Sequence, residues 1–128
     1  MSPPVKPVVA VVDDDYRVLE SLEDLLESAG YSVRLYDRAS QLLDASIDEV
    51  DCVISDIVMP DDDGFALQQV IRNSRPNLPV ILITGRHELA DVEHAAKRGG
   101  RRLFEKPFDK SELLAAVASE LRGSGGTP

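Results

Sequence analysis

The chain has 128 residues, 43% of them hydrophobic and 29% charged, which is the balance of one soluble globular domain and leaves no room for a second. A formal net charge of −9 argues against nucleic-acid binding by this domain, because phosphate backbones repel acidic surfaces. Cys52 is the lone cysteine and cannot form an internal disulfide, and neither the N-terminus nor any apolar run has the length of a signal peptide or bilayer span; both features fit a cytoplasmic protein with no membrane partner.

In chain order, Val8 to Val12 is a continuous apolar run, read as a strand, that leads directly into Asp13, Asp14 and Asp15. Val18, Leu19, Leu22, Leu25, Leu26 and Ala29 then share one helical face, which stops at Gly30. Tyr31 to Tyr36 reads as a second, more mixed strand, and Ala39 to Ala45 as a short helix. The run Val50 to Ser55 is the third strand, with Asp56 after it. A third helix carries Leu67, Val70 and Ile71 after Asp63 and Gly64 and ends before Pro76. Val80 to Thr84 is the fourth strand. The fourth helix offers Leu89, Val92 and Ala96 and is closed by Gly99. Arg102 to Glu105 is the fifth strand. The last helix has Leu113, Leu114, Val117, Ala118 and Leu121, with Asp109 and Glu112 at capping-box spacing and Phe108 placed to staple onto Leu113. Residues 123–128 have linker composition: a frayed end, or the start of a connection to an effector domain.

Strand and helix alternate five times, so the simplest α/β topology is a doubly wound parallel sheet with helices on both faces. Ligands gather beyond the carboxyl ends of the strands in such sheets. There the acids converge: Asp13 to Asp15 from the first strand and Asp56 from the third. Like charges ~4 Å apart cost roughly 4 kcal/mol at an effective dielectric of 20, so a tight cluster calls for protons or a cation. An all-oxygen set suits magnesium, whereas zinc would want His or Cys ligands. One of the three consecutive aspartates remains available to cap the following helix. Thr84 and Lys106 reach the same edge, where a hydroxyl and an ammonium can hold a phosphoryl group, and Asp56 is the candidate acceptor.

Four segments carry a resemblance to the receiver domains of bacterial two-component response regulators: Val11 to Asp15, Asp56 to Gly64, Ile83 to Gly85, and Glu105 to Phe108. The resemblance covers residues 1–122 and implies a flavodoxin-like sheet of order 2-1-3-4-5. It implies that Asp56 takes the phosphoryl group from a sensor histidine kinase and that Asp13, Asp14, Asp56 and the backbone carbonyl of Val58 hold magnesium. Asp14 is then the direct ligand of the aspartate pair. Thr84 binds the phosphoryl group, Lys106 pairs with its oxygens, and Pro107 is a cis proline that shapes the lysine-bearing turn. By the same resemblance the protein is a self-catalysed phosphoacceptor switch rather than an enzyme. Its output is the face of the fourth helix, fifth strand and fifth helix, which meets an effector domain or protein; dimerisation on phosphorylation is a further expectation.

One position departs from the pattern. Three residues before Lys106 the family usually has Tyr or Phe, and Leu103 stands here, with Phe104 facing the other side by strand alternation. A docking domain that works without phosphorylation therefore stays open as a reading. Val58 and Arg86 fall where the family tunes phosphoryl lifetime, and Arg101 with Arg102 reads as a solvated edge or a partner patch. His87 and His94 have no companion at metal-ligand spacing. Asp13-x-Asp15 is also similar to the haloacid-dehalogenase phosphatases, with Asp13 as nucleophile, but Arg17 stands where a threonine belongs and no cap domain fits. A calcium loop centred on Gly64 would place Met59 and Val70 at oxygen-donating positions. Flavin phosphate would be repelled by acids after the first strand.

Overall fold

The computed structural model describes residues 6–45, 47–56, 64–84, 102–105 and 108–124. Five strands, β1 (Val8–Val12), β2 (Ser32–Tyr36), β3 (Cys52–Asp56), β4 (Val80–Thr84) and β5 (Arg102–Glu105), form one sheet of order β2-β1-β3-β4-β5 with every neighbour parallel. This is the doubly wound, flavodoxin-like order expected from the sequence. The described helices are α1 (Tyr16–Ser28), α2 (Ala39–Ala45), α3 (Gly64–Ser74) and α4 (Lys110–Ser124). The fourth helix read from the sequence, on residues 89–96, lies outside the described residues, so α4 here is the last helix.

Strand alternation divides the core into two layers. Ala10, Val12, Val53 and Leu82 pack with Leu42 of α2 and Ile71 of α3, whereas Val9, Val11, Ile54, Ile81 and Ile83 pack with Leu19, Leu22 and Leu26 of α1 and Leu113, Ala116 and Val117 of α4. Burial on both faces is why β3 and β4 are buried along their whole length and can be almost uniformly apolar. β2, at the sheet edge, is only half-buried throughout, matching its mixed composition. Val70 is exposed although it was expected to share the apolar face of its helix; its neighbour Ile71 is the residue buried against the sheet.

The helix ends follow from local chemistry. Asp15 caps α1, its Oδ1 accepting from the Arg17 backbone N–H at 3.0 Å. At the other end the Tyr31 N–H donates to the Leu26 carbonyl and the Gly30 N–H to that of Glu27, with Gly30 at φ 96°. This closure needs the left-handed conformation that glycine adopts without strain. Asp109 caps α4 as expected, accepting at Oδ1 from the Glu112 N–H at 3.0 Å and the Ser111 hydroxyl at 2.6 Å; these bonds hold its carboxyl below the usual carboxylate range. Phe108 packs on the cluster that contains Leu113. The helix runs to Ser124, so it takes in Gly123 and Ser124 from the stretch of linker composition.

Strand β3 begins at Cys52 rather than Val50, because Val50 closes a turn with its N–H on the Ile47 carbonyl. Arg75, at the end of α3, ties that turn down by donating from Nη1 to the carbonyls of both Ile47 and Val50, the latter at 2.7 Å. Hydrogen bonds from a charged group contribute about 1.5–3 kcal/mol, and their loss leaves two interior carbonyls without this donor, so Arg75→Ala should lose roughly 2–3 kcal/mol in urea unfolding. A loss under about 0.5 kcal/mol, the level of an ordinary surface substitution, would refute that role.

Cys52 is fully buried among apolar side chains. Burial, with smaller contributions from the charges of Glu120 and Asp51, pushes its thiol from 9.0 up to about 12. The native state therefore favours the protonated thiol, and that stability is complete below pH 9.0 and lost as pH rises toward about 12. Each pH unit in this window costs at most about 1.4 kcal/mol. Relative to Cys52→Ala, the wild type should lose about 1–2 kcal/mol between pH ~9 and ~10.5 in urea titrations. A parallel pH dependence of the two proteins would contradict this.

Candidate phosphoacceptor and metal site

Three strands deliver polar side chains to the carboxyl edge of the sheet. Val12 of β1 is in register with Ser55 of β3, so Asp13 and Asp56 each stand one residue further along adjacent strands. Asp56 is the last residue of β3, in register with Ile83, and Thr84 follows as the last residue of β4. Asp13 and Thr84 are fully buried, Asp56 is 5% exposed, and Asp14 is exposed.

The aspartate run divides according to backbone direction. The Asp13 N–H donates to the Tyr36 carbonyl at 3.1 Å, which ties the end of β1 to the end of β2. Its Oδ1 accepts from the Asp15 N–H at 2.8 Å, a local turn that orients the carboxylate. Asp15 faces away as the helix cap and also meets Arg17 Nε at 3.4 Å. Asp13, Asp14 and Asp56 each present a carboxylate oxygen within 4.8 Å of the others. Pairs at this separation repel by roughly 3 kcal/mol at an effective dielectric of 20. An oxygen-only set with two acids sunk in the protein and one open to solvent suits a hard divalent cation that retains water on its exposed side.

Of the residues expected at the site, the structure brings together Asp13, Asp14 and Asp56 and places Thr84 at the same sheet edge. Thr84 is in register with Glu105, the residue before Lys106. Lys106, Pro107, Val58, Arg86, Arg101, His87 and His94 lie outside the described residues. Phe104 packs on the layer made with α1 and α4, the face opposite to Leu82, with which Leu103 is in register. Sequence reasoning passed over Ser55, which the structure shows as a buried hydroxyl beside Asp56; its signal was a polar residue inside an apolar strand.

A doubly wound parallel sheet with a carboxylate trio at its carboxyl edge defines a class of small α/β domain with an acidic, metal-compatible site. Within that class the chain belongs to the response regulator receiver domain family, whose model matches residues 9–118. It is 39% identical to the DNA-binding transcriptional regulator NtrC of Bradyrhizobium sp. (strain RP501 Parasponia), over 88% of this chain and 24% of that protein. It is 36% identical to the transcriptional regulatory protein FixJ of Bradyrhizobium diazoefficiens, over 89% of this chain and 56% of that one. The signal receiver domain of an HD domain-containing protein from Pseudomonas fluorescens Pf-5 has a crystal structure similar at a TM-score of 0.85, with 31% identity, covering 98% of this chain and 93% of that one. The chain thus spans about half of FixJ and a quarter of NtrC. It is a signalling module of two-component systems, and among the described residues no helix is long and apolar enough to cross a membrane.

Proposed function

We propose that this domain accepts a phosphoryl group on Asp56 from a sensor histidine kinase, with magnesium held by Asp13, Asp14, Asp56 and the Val58 carbonyl. The observation that carries this reading is the trio of carboxylate oxygens within 4.8 Å at the carboxyl edge of the sheet. Bound there, magnesium would offset the repulsion between the attacking carboxylate and the phosphoryl oxygens. The chain's own residues have separate tasks. A carboxylate oxygen of Asp56 attacks phosphorus, the bond to the donor's leaving group breaks, and that group departs with the bonding electrons and takes up a proton. Thr84 donates its hydroxyl to the transferred group, and Lys106 supplies a positive charge to it. The output face is then formed by β5, α4 and the segment between β4 and β5 that the sequence reads as a helix, and it controls an effector domain or protein, as the regulators similar to this chain suggest. The receiver unit extends through α4, which ends at Ser124, and the protein acts in the cytoplasm.

Intact mass after incubation with acetyl phosphate tests the reading. The wild type should gain one labile phosphoryl group with magnesium and none with EDTA, and Asp56→Ala should gain none. A folded wild type that takes up no phosphoryl group from acetyl phosphate or from its kinase would leave a phosphorylation-independent docking domain as the better account.

A further inference from the structure

Among the described residues four polar or charged side chains are buried: Asp13, Ser55, Asp56 and Thr84. Three of them belong to the machinery proposed above. Ser55 is the fourth, and it is fully buried in the middle strand of the sheet. Its register partners are Val12 on β1 and Leu82 on β4, both members of the apolar layer under α2 and α3. A hydroxyl costs stability in such a place unless it is hydrogen-bonded, and valine or alanine would pack there at no such cost. The Ser55 hydroxyl makes one specific bond: it donates to the main-chain carbonyl of Asp56 at 3.0 Å.

We infer that Ser55 is a positioning residue for Asp56, acting through that carbonyl. This rests on the reading of Asp56 as phosphoacceptor. The parallel ladder holds the backbone before the Asp56 Cα, and the Ser55 hydroxyl holds the peptide plane after it. Anchored on both sides, the Cα–Cβ bond points the carboxylate in one direction, toward the oxygens of Asp13 and Asp14. Attack on phosphorus depends steeply on such alignment, since a displacement of about 1 Å can cost a hundredfold in rate. Ser55 touches neither the phosphoryl group nor the metal; it sets the aim of the residue that does.

The test compares wild type with Ser55→Thr, Ser55→Val and Ser55→Ala, measuring phosphorylation rate at saturating magnesium and acetyl phosphate, with urea stability in parallel. Thr and Val have nearly the same shape, so this pair isolates the hydroxyl. Thr should stay within about twofold of wild type, while Val and Ala should fall about tenfold although Val is at least as stable as Thr. A merely structural role would make rate follow stability across the series. Equal rates for Thr and Val, or rates that track stability, would overturn the inference while leaving Asp56 as the acceptor. Failure of the wild type itself to form the adduct would overturn the acceptor reading, and the role of Ser55 with it.

Discussion

Asp13→Asn should be phosphorylated by acetyl phosphate at least about a hundredfold more slowly than wild type at a magnesium concentration that saturates the latter. The substitution keeps the local architecture, since asparagine retains an Oδ1 that can accept the Asp15 N–H, the bond seen at 2.8 Å. What it removes is one negative charge from a buried position in the trio. A divalent ion contributes several kcal/mol to charge stabilisation in phosphoryl transfer, and each ~1.4 kcal/mol is a factor of ten in rate. Much of that contribution goes if Asp14, Asp56 and the Val58 carbonyl hold the ion without the Asp13 charge. Raising magnesium tenfold should recover part of the rate if weakened binding is the cause. A variant with wild-type rate and wild-type magnesium dependence would show that Asp13 has no part in holding the ion.

The same substitution should have the opposite effect on stability when no divalent cation is present. In EDTA, Asp13→Asn should be more stable than wild type by about 1–3 kcal/mol, since it relieves the repulsion of carboxylates within 4.8 Å of one another. The lower figure allows for Asp14, which is exposed and screens its share of the interaction. If the trio holds magnesium as proposed, the ion at about 100 times its dissociation constant should stabilise the native wild type by about 2.7 kcal/mol. The variant should bind the ion more weakly and gain much less, so the gap should close or reverse on adding the metal. Urea titrations of both proteins, with and without magnesium, check this directly. A variant that is less stable than wild type in EDTA would mean that Asp13 is held by bonds worth more than the repulsion it suffers.

The two effects belong together physically. If the EDTA result is as expected, the acids stand where folding alone disfavours them, and the arrangement is tolerated because the sheet core supplies the stability. Val9, Val11, Ile54, Ile81 and Ile83 in one layer and Ala10, Val12, Val53 and Leu82 in the other are fully buried. Arg75 acts at the opposite end of β3, where it secures the turn before Cys52 and is remote in sequence from the acids.

The alternation of strands and helices was legible from the residues, because period and burial are linked: strands covered on both faces read as unbroken Val and Ile, and α1 shows its apolar stripe between Asp15 and Gly30. The convergence of Asp13 and Asp56 was legible too, since a parallel sheet brings the carboxyl ends of adjacent strands together. The residues themselves left open how three identical aspartates divide their work; the resemblance put Asp13 and Asp14 on the metal, and the tertiary structure shows where each side chain goes. Asp13 is buried beside β3, Asp14 is exposed at the trio, and Asp15 turns to cap α1, because each step along the backbone points a side chain in a new direction. It also decided that Ile71 rather than Val70 meets the sheet, that Arg75 reaches a turn far back in the chain, and that the Ser55 hydroxyl meets the Asp56 carbonyl. Local pattern carries period and polarity. Which partner a polar group finds beyond its own turn is settled only when the fold brings distant segments side by side.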